Sequence, residues 1–328
     1  MRSGWDPGHN QADVFFSNVE RGRISGLFRL AKNANSITVS AFGQHLLVNG
    51  TPYAYNYVLS PIQVDGNDQY AKAGSTAQGR KGENNRGLSR LSMFRYHHSE
   101  QFDFAEGFYD GVYADTPDHE PIIHDYNTSL KIPEDAIRDV THRRTVFFVK
   151  ESGGWIILDV MNSEKPYIYT QQWQQWKSKL NGKRPDGYRE DQVRALVEGK
   201  AIKSQAHGKV NLSMYHTGPV DLSSGLIKHL TYQPVSTYVM QEEWFKGPGA
   251  DLRLGVEHLH LAAEWKSSAG RSQLITVIYP MKPLSEDLHI ERARDGIGTS
   301  LKLPDATEID FRAHGPEAEL TVTCPGEI

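Results

Sequence analysis

The stretch His142-Arg143-Arg144-Thr145-Val146-Phe147-Phe148-Val149-Lys150, followed by Glu151-Ser152-Gly153-Gly154 and then Trp155-Ile156-Ile157-Leu158-Asp159-Val160, decides the fold class. Two runs rich in β-branched and aromatic residues meet at a Gly-Gly turn, which is the pattern of a β-hairpin. The same signal recurs outward from this pair. Ser36-Ile37-Thr38-Val39-Ser40-Ala41-Phe42 alternates with period two, and Gln44-His45-Leu46-Leu47-Val48 follows after Gly43. Leu254 to Leu261, Gln273 to Tyr279 and Glu319 to Thr323 add further strands. Short strands punctuated by Gly, Pro and Asn predict an all-β protein, a large antiparallel β-sandwich of the supersandwich kind with at most one or two short helices.

Helix signals are few. Gly187 to Glu198 has the composition for about three turns ending at Gly199. The polar, Gly-rich run from Lys72 to Gly87 reads as a surface loop. No repeat is visible, and residues 1–328 are read as one sandwich domain. Around 177–210 charge rises and strand signals fade, which fits a seam between sub-lobes and equally a stretch shared by two sheets of one sandwich.

The chain has 328 residues, 38% of them hydrophobic and 23% charged, which is the balance of a folded protein rather than a disordered one. A formal net charge of −4 leaves no basic excess to attract nucleic acid. No apolar stretch approaches the roughly 20 residues that span a bilayer, so no membrane partner is expected. The first residues, Met1-Arg2-Ser3-Gly4-Trp5-Asp6-Pro7, lack the apolar core of a signal peptide. The single cysteine, Cys324, has no partner for an internal disulfide, and the compartment stays open.

Five strings in one order carry a resemblance. They are Met1 to Asp6, Asn35 to Val48, Val64-Asp65-Gly66-Asn67-Asp68-Gln69, Phe104-Ala105-Glu106-Gly107-Phe108-Tyr109-Asp110-Gly111-Val112-Tyr113, and His142 to Lys150 with Trp155 to Asp159. In that order the chain resembles the C-terminal β-sandwich of heparinase II/III-like polysaccharide lyases, best over residues 1–180. The resemblance implies β-elimination of a uronic-acid-containing polysaccharide, with an acidic polysaccharide as ligand and no cofactor. In the family an N-terminal (α/α) toroid supplies the catalytic tyrosine. Nothing like its helical hairpins precedes the Arg-Ser-Gly-Trp strand, so the expectation is a separate toroid chain as partner. Family members are often periplasmic or secreted.

The family also carries a Gly-His-x-His-Ala-Asp loop before the Ala-Phe-Gly strand. Its first histidine takes part in catalysis, and its second binds a metal with a later Asp and His. An ungapped alignment on Asn35-Ser36 and Ala41-Phe42-Gly43 puts Arg29, Ala31 and Asn33 at the loop positions, Asn49 at the later Asp and Leu59 at the later His. A gapped alignment matches Gly8-His9-Asn10-Gln11-Ala12-Asp13 to the loop, with His9 as the catalytic histidine and Gln11 at the metal position. The second needs a long insertion, and the first is preferred. Under either alignment the family's metal site has lost ligands, and none is expected.

The chemistry names the candidates. Taking a proton from C5 beside an ionised carboxylate needs cationic donors for that carboxylate, a base, and an acid for the leaving oxygen. His9, Tyr53 and Tyr57 are the catalytic candidates, against the plainer readings of a surface histidine and of tyrosines packed in a sheet. Arg29 suits a bidentate carboxylate contact but not proton transfer, being always charged. His142 and Arg144 open a strand the family keeps, and are candidates for the cleft or for an exposed cationic strand end. Trp173 and Trp176, in Tyr167-Ile168-Tyr169-Thr170-Gln171-Gln172-Trp173-Gln174-Gln175-Trp176, are substrate-binding candidates, because sugar rings stack on aromatic faces and glutamine amides bond hydroxyls. The opposing account packs them in the core. Two other functions stay open: a non-catalytic carbohydrate-binding or scaffold domain, and a metal-dependent enzyme built on His97-His98, His258-x-His260, or His119 with His124.

Overall fold

The computed structural model describes residues 1, 11–15, 35–42, 44–47, 62–70, 95–109, 112–114, 134–150, 153–176, 195–204, 211–232, 253–281, 289–292, 298–302, 308–314 and 317–323. The strands in chain order begin with β1 (Gln11–Phe15), β2 (Ser36–Ala41), β3 (Gln44–Leu47), β4 (Ile62–Val64), β5 (Asp68–Tyr70), β6 (Arg95–His98) and β7 (Phe102–Tyr109). Next come β8 (Val112–Ala114), β9 (Val140–Val149), β10 (Gly154–Ser163), β11 (Ile168–Trp176), β12 (Ala195–Glu198), β13 (Ala201–Ser204) and β14 (Asn211–His216). The last are β15 (Asp221–Tyr232), β16 (Arg253–Lys266), β17 (Gly270–Met281), β18 (His289–Arg292), β19 (Gly298–Lys302), β20 (Glu308–His314) and β21 (Glu317–Thr323). Among the described residues there is no helix.

An eight-stranded sheet runs in the order β12-β13-β14-β17-β10-β9-β7-β6, with antiparallel neighbours throughout. The hairpin that opened the sequence reading is its centre. β9 and β10 pair from Gly154↔Val149 to Ser163↔Val140, and Gly153 turns the chain at φ 69. Smaller sheets are β15-β16-β11-β4, β1-β2-β3, β5-β8 and β18-β19-β20-β21.

Side chains on β9 alternate between two cores. Val146 and Phe148 join Trp155, Ile157, Trp173, Leu259, Leu261 and Ile278 in one buried cluster, with Ile37, Val39 and Ala41 of β2 and Leu46 and Leu47 of β3. Val140 joins a second cluster with Met161, Tyr169, Trp265, Leu274 and Ile62. Both clusters lie between the eight-stranded and the β15-β16-β11-β4 sheets, so these two pack face to face. Phe147 and Val149 point the other way, into a cluster with Ile156, Leu158, Val160, Ile275 and Val277. Central strands apolar on both faces are why the sequence here reads as a continuous apolar run.

The helix expected to end at Gly199 is corrected where it is described: Ala195–Glu198 is β12, paired antiparallel with β13. Gly199, at φ 58, opens a two-residue hairpin turn between Glu198 and Ala201 instead of closing a helix. Residues 187–194 and the loop at 72–87 lie outside the described residues.

Candidate functional site

Between the two inward clusters the sandwich core turns polar. Period-two alternation puts His142 and Arg144 of β9 and Asp159 of β10 on the same inward face as Val140, Val146, Ile157 and Met161. Gln171 of β11 meets them from the facing sheet, and Thr276 of β17, in the same sheet as β9 and β10, bonds Gln171. Asp159 is saturated with donors. Its Oδ1 accepts from His142 Nε2 at 2.7 Å and Arg144 Nε at 2.6 Å, and its Oδ2 from Arg144 Nη2 at 2.9 Å and Gln171 Nε2 at 2.6 Å. Gln171 Oε1 in turn accepts from Trp173 Nε1 and Thr276 Oγ1, each at 2.9 Å. The Arg144 guanidinium lies 5.2 Å from the centre of the Trp173 ring.

The protonation states follow from this arrangement. Burial alone would raise the Asp159 carboxyl, but the Arg144 guanidinium and the His142 hydrogen bond more than offset it and hold the group well below the ordinary carboxylate range. Burial lowers His142, partly opposed by Asp159, so its ring is neutral near pH 7. A neutral ring that donates from Nε2 accepts at Nδ1, and the Asn35 side-chain amide stands 3.4 Å from that atom.

Asn35 is what the network holds. Its backbone carbonyl accepts from Arg144 Nη1 at 2.7 Å. It is 1% exposed and adopts φ 62, immediately before β2. Left-handed backbone is tolerated by Asn better than by most residues, and here hydrogen bonds on both sides keep it. The buried ion pair therefore fixes the point where the chain enters β2, just after the positions that the resemblance assigns to the histidine loop.

The expectation placed His142 and Arg144 at a cleft and Trp173 against a sugar. All three side chains are instead 0% exposed and bonded internally. The reason is strand parity: even positions of β9 and odd positions of β11 face the interior. The residue between the first two, Arg143, is the one that looks outward, half-buried, with Nη1 3.2 Å from Glu106 Oε1 and its guanidinium 5.6 Å from the Phe108 ring. His9, Arg29, Tyr53 and Tyr57 lie outside the described residues, as does the side chain of Trp176, whose backbone ends β11 opposite His258. Asp159, Gln171 and Thr276 were not singled out from the sequence. The available signal was one carboxylate inside the apolar run Trp155 to Val160, which demands a buried cation.

Among the described residues no group of three or more His, Cys, Asp or Glu side chains is placed to hold a metal. His97 and His98 are exposed on β6, with His98 Nδ1 2.6 Å from Asp103 Oδ1. His119 and His124 lie outside the described residues.

With this geometry in place, solved structures supply the comparison. The fold resembles part of heparinase III. A heparan sulfate lyase from Pedobacter heparinus superposes with a TM-score of 0.58 at 11% identity, covering 98% of this chain and 40% of that one. A heparinase III gene product gives 0.57 at 12% identity, covering 95% and 40%. A further heparinase III gives 0.53 at 8% identity, covering 99% and 41%. The chain thus spans about two fifths of the length of these enzymes. No family model matches the sequence, and no curated protein does. At such identity the likeness is one of fold, and the heparinase III-like sandwich is its description.

Proposed function

We propose that this heparinase III-like sandwich serves a polysaccharide lyase that cleaves an acidic, uronate-containing polysaccharide by β-elimination. The observation that carries the reading is the match of nearly the whole chain to part of a heparan sulfate lyase and of a heparinase III. The reaction takes a proton from C5, forms the C4–C5 double bond, and breaks the C4–O bond while an acid protonates the departing oxygen. Donors that neutralise the uronate carboxylate make the C5 proton removable.

In this reading Arg29 contacts the carboxylate, while His9, Tyr53 and Tyr57 are the candidates for proton transfer. Asn35, clamped by Arg144 and His142, positions the chain entering β2. A toroid, on a separate chain or elsewhere in the same protein, supplies the remainder of the cleft. The test follows absorbance of unsaturated uronate as the full-length protein is mixed with heparan sulfate, hyaluronan, alginate and neutral dextran. Product is expected from at least one uronate polymer and none from dextran. Absence of product from every uronate polymer would overturn the proposal. Retained activity in His9→Ala would keep the lyase and remove His9 from the site.

A further inference from the structure

The outer face of the eight-stranded sheet changes character along its strands. At its centre Phe147, Ile156, Leu158, Ile275 and Val277 are buried. Past Val160 the same face turns polar and opens to solvent. Register sets Arg143, Val160 and Gln273 in one cross-strand row, and Thr141, Asn162 and Arg271 in the next. Directly opposed residues of antiparallel strands share a face, so both rows look outward with Val160. Asn162 and Arg271 are exposed, and Thr141, Arg143 and Gln273 are half-buried.

Two guanidinium groups share this end of the face. β9 and β17 flank β10, so Arg143 and Arg271 rise from strands roughly 10 Å apart, a gap that two arginine side chains span. Desolvation, and after it the charge of Arg143, lowers Arg271 from its ordinary value, as two cations held near each other require. The carboxylates on neighbouring positions are already engaged. Glu106 takes two bonds of 2.8 Å from Arg95 and reaches Arg143 only through Nη1, at 3.2 Å. Asp139, just before β9, accepts from the Tyr167 hydroxyl at 2.6 Å. Among the described residues Arg271 has no ion pair, and its one hydrogen bond runs from Nη2 to Gln273 Oε1 at 3.4 Å. The chain carries a formal net charge of −4, so this local cationic surplus runs against the whole. Like charges held side by side cost free energy that an anion placed between them recovers. Forked guanidinium groups match the oxygens of carboxylate and sulfate, and the Asn162 amide adds a neutral donor from the strand between them.

We propose that Arg143 and Arg271, with Asn162 between them, form a surface site for an oxyanion of an acidic polysaccharide, a uronate carboxylate or a sulfate ester. The inference rests on the acidic-polysaccharide reading above and names side chains that would hold the charged part of that ligand. The test uses Arg271→Gln, a change at an exposed position. Lys266→Gln, at an exposed position ending β16 in the other large sheet, removes the same charge elsewhere. Binding of heparan sulfate and hyaluronan oligosaccharides is measured by calorimetry, or as KM where the sugar is cleaved, at about 50 and 500 mM salt. The melting temperature of each free protein is recorded.

Arg271→Gln is expected to weaken heparan sulfate binding about three- to tenfold at the lower salt concentration, as the loss of a charge-assisted contact does. The difference shrinks at the higher concentration. Lys266→Gln stays within about twofold of the parent, and both variants keep the parent's Tm to within about 2 °C. Weakening with both oligosaccharides assigns the carboxylate as the bound group, and weakening with heparan sulfate alone assigns the sulfate. Unchanged affinity in Arg271→Gln would overturn the proposal. So would an equal loss in Lys266→Gln, which would make the attraction one of overall charge. A loss of affinity in Arg271→Gln joined to a larger fall in Tm would overturn it too, since a structural role would account for both. If the parent cleaves a uronate polymer and Arg271→Gln alters neither affinity nor KM, the site falls and the lyase stands. If the parent binds without cleaving and only Arg271→Gln loses that binding, the site stands and the lyase falls. No binding of either oligosaccharide by the parent would also overturn it.

Discussion

At the scale of single residues, the interior is governed by one carboxylate. Asp159 accepts four hydrogen bonds from three side chains, and Arg144 is the only one of those partners that carries a fixed charge. Removing one member of such a buried pair strands the other. Asp159→Asn is therefore expected to destabilise the protein by about 3–5 kcal/mol, measured by urea unfolding. Replacing both members, Arg144→Met with Asp159→Leu, should cost clearly less than the sum of the single changes, because neither charge is then left alone. Additive costs would mean that the pair is not a unit. Asn35 offers a finer test. Asn35→Gly keeps the φ of 62 accessible, while Asn35→Ala loses the amide and meets backbone strain as well. The alanine variant should be the less stable of the two by about 1 kcal/mol.

Which of these residues the sequence disclosed depended on parity and on distance along the chain. His142 and Arg144 stood out as charged residues opening a strand, and Trp173 as an aromatic among glutamines. What could not be read locally was that Asp159, fifteen residues beyond Arg144, folds back opposite it, or that Gln171 arrives from another sheet. The alternation that identified β9 also contains the answer to which side is inside, since His142 and Arg144 share parity with Val146 and Phe148. That step needs the register of both sheets, because β9 is apolar on both faces over its second half.

Among elements, the β9–β10 hairpin was the most legible because both its strands and its turn carry independent signals. Trp155 and Phe148 face each other across it, with ring centres 5.1 Å apart and planes 22° from parallel. Trp155 is fully buried, so Trp155→Ala should cost about 3–5 kcal/mol. Tyr96 is the matching control: it sits on β6 at the edge of the same sheet, 55% exposed. Tyr96→Ala is expected to change stability by no more than about 0.5 kcal/mol in the same unfolding assay. Comparable costs at the two positions would contradict a core centred on the hairpin. The element misread, Ala195–Glu198, is short and lies beside a glycine. Gly closes helices and opens hairpin turns through the same left-handed backbone, so Gly199 alone does not discriminate. Pairing of β12 with β13 settles the choice, and it depends on residues that follow the glycine.

For the molecule as a whole, the two inward clusters and the polar layer between them make stability depend on pH in two separate windows. His216 of β14 is buried, and burial pushes it down to about 4, slightly opposed by the nearby Lys200 carbonyl and by Asp159. The unfolded chain takes up a proton on this histidine near pH 6.5, whereas the folded chain does so only near 4. Between those values the unfolded state holds more protons, so stability is lost as pH falls, by up to about 1.4 kcal/mol per pH unit for each such group. His260 and His142, both lowered by burial, act in the same direction and begin at the same point. The second window belongs to Asp159. Its folded value lies below the unfolded one, so its contribution is complete above about pH 4 and disappears as pH drops further. Urea unfolding at pH 8, 6, 5 and 3.5 should thus show a plateau above neutrality and a continuous loss below it, carried by the histidines down to about pH 4 and by Asp159 beyond. His216→Met isolates one component. It should be more stable than the parent at pH 5 by a larger margin than at pH 8, since it removes a group that resists protonation only in the folded state. An equal margin at both pH values would show that His216 is not held neutral by burial, and that the polar layer is open to water.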